Sequence, residues 1–283
     1  MDRRSFLSLL FTFGTLRTQL WAASGAKDVI AIGGDVTEII FALGQGHRLL
    51  ARDATSTFPA AARDLPDVGY MRRLSAEGVL SFAPSLIVSA EGAGPPEVID
   101  ILRSASVEFA EVPEGYDGDA IMRKIEAVGA ALEVPDRAAA LAIETRTALD
   151  RAVDRAVRRV SDQTRVMFIL STQGGRILVS GTGTGADGII QMAGGVNAVS
   201  SFEGYKPLSD EAASAAAPDV ILMMDHSGDH ASTDEDLFGL PALSVTPAAE
   251  RRNVVRMDGL FLLGFGPRTA DAVTALNRAL YPA

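Results

Sequence analysis

The stretches LSAEGVLSFAPSLIV, residues 74–88, and LSDEAASAAAPDVIL, residues 208–222, align without a gap. Leu, Ser, Glu and Pro recur at matching places, 134 residues apart. In each, a serine stands two residues before a glutamate at a helix start, and a run of buried-strand character closes the stretch. TEIIFALG, residues 37–44, and DGIIQMAGG, residues 187–195, form a weaker second pair. The order of elements around both pairs also repeats. That pattern predicts two related lobes rather than one large domain.

Working outward, DVIAIGG reads as a strand and turn, and DVTEIIFALG as a helix with Asp35 as its N-cap and Gly44 as its stop. PSLIVSA is a second strand, PPEVIDILRSA a helix and VEFAEV a strand. This alternation predicts an α/β lobe with a mainly parallel sheet. Residues 136–164 contain no glycine and no proline. Leu149, Val153, Val157 and Val160 fall toward one face of a helix there. Strand signals restart at RVMFIL, RILVS and VILMM. The expected organisation is an export segment at 1–26, an N-terminal α/β lobe at 27–135, a rigid bridging helix at 136–163 and a C-terminal α/β lobe at 164–283. Two lobes on one connector leave a cleft, and ligands favour such interfaces beyond the carboxyl ends of strands.

The first 26 residues read as a signal peptide. Arg3 and Arg4 precede the apolar run SFLSLLFTFGTL, which is too short to span a bilayer, and small residues follow. RRSFL is compatible with the twin-arginine route as well as the general secretory one. The chain has no cysteine, so neither a disulfide framework nor a lipid-anchored cysteine is available. The expected product is a soluble monomer between two bacterial membranes, with no direct membrane insertion. Residues 1–26 hold three arginines and one aspartate, so the remainder carries 23 basic and 35 acidic residues, a net charge of −12. Such a surface disfavours nucleic acid and anionic membranes.

GTGADG, residues 183–188, fits a dinucleotide fingerprint, but it sits late in an exported chain. A tight turn with Asp187 capping a helix is the better reading. A dinucleotide-dependent oxidoreductase would rest on that loop alone. DHSGDH, residues 225–230, offers His226 and His230 with two aspartates on a loop after a strand, and a zinc or manganese receptor would rest on that alone. His47 reads as an ordinary surface residue. No G-x-S-x-G signature is present, and no carboxylate spacing identifies acid–base chemistry, so catalysis is not expected.

GYMRRLSAEG, residues 69–78, sets a tyrosine beside two arginines. The set GGDVTEIIFALG, GYMRRLSAEGVLSFAPSLIV, GYKPLS, PDVIL and LLGFGPRTADAV, in that order, resembles the periplasmic haem-binding proteins of bacterial haem ABC importers, the hemin-transport T-protein family. The resemblance covers almost everything after Lys27. Several of the motifs also occur in cobalamin and siderophore receptors of the same fold, which are the alternative reading. The resemblance implies two α/β lobes bridged by a rigid helix, ferric haem b as the transported ligand, and the membrane permease of a haem ABC transporter as partner. It implies that Tyr70 is the axial ligand of the haem iron, since ferric iron binds the hard phenolate oxygen strongly. Arg72 is placed to stabilise that anion, and Arg73 and, less directly, Arg268, Lys206 and Arg176 to meet propionates. Glu77 and Glu211, one per lobe, would meet arginines of the permease. The chain departs from the family pattern where some members carry a histidine after the strand matching RVMFIL. Here the sequence is STQGG, and His226 is the candidate to supply a second axial ligand from another loop.

Overall fold

The computed structural model describes residues 28–158, 160, 162–172, 176–225 and 233–282. The export segment and both histidines of DHSGDH, His226 and His230, lie outside the described residues.

The N-terminal lobe is built on β1 (Val29–Ile32), β2 (Leu49–Arg52), β3 (Leu86–Ala90) and β4 (Glu108–Val112). They form one parallel sheet in the order β2-β1-β3-β4. β1 and β3 are buried along their whole length, as expected of inner parallel strands covered on both faces. The C-terminal lobe uses β5 (Arg165–Ser171), β6 (Ile177–Ser180), β7 (Val196–Asn197), β8 (Tyr205–Leu208), β9 (Val220–Met224) and β10 (Val254–Met257). Its order is β10-β9-β5-β6-β8, with β7 beside β5. This sheet is mixed. β10, β9 and β5 run parallel, whereas β6 is antiparallel to both β5 and β8. The connection from β5 to β6 is too short for a crossover, so those strands can pair only as a hairpin.

The internal repeat is structural. Ser75 caps the helix Ala76–Leu80 by accepting from the Gly78 N–H at 3.3 Å, and Ser209 caps Asp210–Ala216 by accepting from the Ala212 N–H at 3.3 Å. Each helix then exits through a left-handed alanine, Ala83 (φ 48°) or Ala217 (φ 42°), followed by a proline and the next buried strand. The second pair matches as well. The helices Gly34–Ala42 and Gly185–Met192 both stop at a left-handed glycine, Gly44 or Gly194.

Two expected caps are different residues. Asp35 lies in the first turn of its helix and pairs with Lys124, 89 residues on, while the cap position is held by Gly33. The Gly185–Met192 helix is capped by Thr184, which accepts from the Asp187 N–H, and Asp187 reaches back to accept from the Gly183 N–H at 3.1 Å.

The bridging helix runs Pro135–Arg158, 24 residues, about 36 Å long. Its buried stripe is Ala138, Ala142, Thr145, Leu149, Ala152 and Ala156, not the valine series. Residues four apart drift by about 40° per step around a helix, so Val157 has turned out to solvent while alternating steps of four and three stay on one face. Small side chains on that stripe let the helix lie close to the helices Gly118–Ala131 and Thr269–Leu280. One continuous apolar cluster passes from β1 and β3 through this helix to β5, β9 and the last helix.

Candidate functional site

A cavity of about 520 Å³ lies between the lobes. Its walls are the loops that leave the carboxyl ends of the strands: Thr55 and Thr57 after β2, Glu91 after β3, Glu114 after β4, Met224 at the end of β9 and Asp258 after β10. Met71, Leu170, Leu260 and Leu263 supply an apolar lining. The composition suits a largely apolar ligand with a few polar contacts.

Tyr70 and Arg72 both stand in this wall. The segment that carries them is anchored on both sides. Asp67 accepts from the Gly69 N–H at 2.8 Å and from Arg52 at 2.6 Å, and the Met71 carbonyl accepts from the Gly94 N–H at 2.9 Å. Gly69 has φ +98°, which favours glycine, and the space where a Cβ would stand is open. Tyr70 is 42% exposed, and its hydroxyl makes no hydrogen bond to another described residue. Arg72 is exposed and has no carboxylate partner among the described residues. The wall's other cation, Lys124, is buried and held by Asp35 at 2.7 Å. Arg72 is thus the cation left to answer a negative charge inside the cleft.

The wall's acidic groups are largely engaged. Glu91 accepts from the Glu114 N–H at 2.7 Å, Glu114 accepts from the Tyr116 hydroxyl at 2.5 Å, and Asp258 caps the helix Gly259–Leu263. Burial, followed by the bond to Glu114, pushes the Tyr116 phenol well above the usual range. Tyr116 therefore stays protonated at neutral pH and acts as a donor.

The other expected contacts fall elsewhere. Arg73 is exposed and off the cavity wall. Arg268 donates to the buried carboxylate of Glu38 through Nε at 3.0 Å and Nη2 at 2.7 Å, and lies 3.5 Å over the Phe58 ring. That guanidinium ties the two lobes together and is committed away from the cavity. Lys206 sits over Phe202, outside the wall, and Arg176 is exposed. His47 is exposed, on a short turn. Glu77 and Glu211 are exposed in the first turns of the two repeat helices. Of the glycines of GTGADG, Gly183 faces Glu203 of its own lobe, Gly185 lies between Phe265 and Tyr116, and Gly188 faces Tyr116 of the N-terminal lobe. A Cβ on Gly188 would come within 2.5 Å of the Tyr116 carbonyl, so this turn is a seat for the N-terminal lobe rather than a phosphate cradle.

Tyr205, in GYKPLS, also lines the cavity, from the opposite lobe. Its signal was present in the repeat: GYMRRLS and GYKPLS differ by one residue in length, which hides the pairing of their tyrosines in an ungapped alignment.

Comparison with known proteins agrees with this architecture. The family model for periplasmic binding proteins matches residues 29–259. The structure is similar to the periplasmic heme-binding protein BhuT in complex with two hemes, with TM-score 0.86, 43% identity, and coverage of 90% of this chain and 98% of that one. It is similar to the periplasmic heme-binding protein RhuT from Roseiflexus sp. RS-1 in apo form, with TM-score 0.87, 38% identity, and coverage of 91% and 98%. Among curated proteins, it is 27% identical over 229 residues to the vitamin B12-binding protein of Yersinia pestis (strain Pestoides F), covering 79% of this chain and 78% of that one. With two lobes, a cleft fed by strand-end loops and a family match over most of its length, the chain belongs to the periplasmic binding protein family.

Proposed function

We propose that this protein is an exported receptor that captures ferric haem through the phenolate of Tyr70 and delivers it to the membrane permease of a haem ABC importer. The observation that carries the reading is Tyr70 standing exposed in the cleft wall with Arg72, which has no carboxylate partner among the described residues, two residues on. A phenolate is a hard anionic donor suited to ferric iron, and a nearby cation lowers the cost of that anion. Similarity to heme-binding proteins at 43% and 38% identity supports the choice of ligand. Propionates would meet Arg72, or Arg73 at the mouth, because Arg268 is engaged with Glu38. Residues 1–26 would direct export, and Glu77 and Glu211 would face the permease. No helix among the described residues is long and apolar enough to cross a membrane.

Cobalamin is the competing ligand, favoured by the similarity to the vitamin B12-binding protein. Titrating the purified protein with ferric haem and, separately, with cyanocobalamin distinguishes the two. Stoichiometric development of a tyrosinate-type ferric spectrum supports the proposal. Binding of cobalamin with no haem spectrum overturns it.

A further inference from the structure

Asp53 follows β2 directly and is fully buried. Its carboxylate accepts four hydrogen bonds. Oδ1 takes the Gly33 N–H at 2.9 Å and the Ser56 hydroxyl at 2.7 Å, and Oδ2 takes the Thr55 N–H at 2.9 Å and the Thr55 hydroxyl at 2.7 Å. All four donors are neutral. A carboxylate is costly to bury, and donors on both oxygens are what hold it there. The bond to Gly33 sets the group at the N-terminus of the helix Gly34–Ala42, where the helix dipole favours a negative charge. Thr55 reinforces this by accepting from the Gly34 N–H at 3.0 Å. The turn 53–56 is packed hard onto the helix, since a Cβ on Gly34 would stand 2.7 Å from the Thr55 carbonyl oxygen.

From this turn two routes run to the segment that carries Tyr70. The Ala54 N–H donates to the Gly69 carbonyl at 2.9 Å. Arg52 donates through Nη1 to the Asp53 carbonyl at 3.1 Å and to Asp67 at 2.6 Å, and Asp67 accepts from the Gly69 N–H at 2.8 Å. Both backbone polar groups of Gly69 are therefore engaged by the network around Asp53. Gly69 immediately precedes Tyr70, whose hydroxyl makes no hydrogen bond to another described residue. The phenol is placed by its backbone, and the backbone by Asp53. Asp53 itself is off the cavity wall, whereas Gly34, Thr55 and Tyr70 all stand in it.

We propose that Asp53 is a positioning residue for ligand capture, a buried carboxylate that fixes the direction from which the Tyr70 phenol enters the cleft without touching the ligand. This rests on the haem reading above. The partners of the carboxylate explain why an aspartate is needed. Gly33 and Thr55 each present a backbone N–H, one to each oxygen, and a backbone N–H cannot reverse. Asparagine has a single acceptor oxygen, so either orientation of its amide sets an NH2 against one of those N–H groups. The turn must then shift, and the Ala54 contact carries Gly69 with it.

The test titrates ferric haem into wild type, Asp53→Asn, Ser56→Ala and Asn277→Ala, recording visible absorption and resonance Raman spectra against pH. Thermal melting of each apoprotein is measured alongside. Ser56 is buried, lies off the wall and supplies one of the four bonds, so Ser56→Ala decides the matter if Asp53→Asn fails to fold. Asn277 is buried outside the wall on the Ala156 and Ala193 carbonyls, so Asn277→Ala is the control for lost stability alone. Asp53→Asn is expected to weaken haem binding about 10–100-fold, the range for residues that orient a metal ligand. It is also expected to move the iron–phenolate stretching band and to raise the pH at which the tyrosinate spectrum develops. Ser56→Ala is expected to move all three in the same directions by less, and Asn277→Ala to melt lower with affinity and spectrum unchanged. If Asp53→Asn and Ser56→Ala behave like Asn277→Ala, Asp53 serves stability only and the proposal is overturned while the haem reading stands. A wild type that develops no tyrosinate spectrum overturns the haem reading and this proposal with it.

Discussion

Arg72 and Arg73 are adjacent in the chain, yet only Arg72 reaches the cavity wall. Its value lies in having no carboxylate partner among the described residues, since an arginine already paired would give little to an incoming anion. Arg72→Ala is therefore expected to weaken ferric haem binding by about 10–100-fold, the range for residues that support a metal ligand, while the tyrosinate signature persists. Arg73→Ala, off the cavity wall and able to reach a propionate only at the mouth, is expected to weaken binding by less than about threefold. Equal losses in equilibrium titrations of the two variants would show that local positive charge, not placement, is what matters. At this scale the sequence offers Tyr70, Arg72 and Arg268 as candidates, and the structure sets the first two in the cavity wall and Arg268 on Glu38. Its partner Glu38 is 230 residues away, and such a pairing has no local signature.

The repeat helices show how much an element can announce itself. Ser75 and Ser209 are caps because a short hydroxyl side chain can accept from a first-turn N–H; the sequence places both at helix starts, and the structure assigns the cap. Asp35 and Asp187 were misread as caps because each is an acidic residue near a helix start whose carboxylate is drawn elsewhere, to Lys124 and to the Gly183 N–H. The valine stripe of the bridging helix failed for a related reason. Apolar type pointed to Val153 and Val157, but close helix packing selects the alanines. On the two repeat helices Glu77 and Glu211 occupy equivalent exposed first-turn positions. If they set the register of docking, Glu77→Lys combined with Glu211→Lys leaves haem binding intact and stops haem delivery to the permease. Reconstituted uptake measures this, and a wild-type rate in the double variant reduces both glutamates to their favourable place at a helix N-terminus, worth about 0.3–1 kcal/mol each.

At the scale of the whole molecule, the lobes are joined by more than one chain segment. The bridging helix, the continuous apolar cluster and the Glu38–Arg268 pair all cross between them, and Tyr116 seats against Gly188. Bending such a connector breaks backbone hydrogen bonds, so loading is expected to change the radius of gyration little. Glu38→Ala leaves Arg268 without its partner and is expected to cost about 2–4 kcal/mol, reduced from a fully buried pair because Arg268 is partly exposed. Urea unfolding reads the loss, and solution scattering shows whether the lobes loosen with it. The central claim, that Tyr70 holds the iron of a captured haem, is tested most directly by one titration. Ferric haem is added to wild-type protein and to Tyr70→Phe, which lacks only the phenol oxygen, and the visible spectrum is recorded. The account predicts that the wild type develops a tyrosinate-to-iron charge-transfer band and that Tyr70→Phe loses most of it and binds far more weakly. A Tyr70→Phe spectrum and affinity matching the wild type would contradict it.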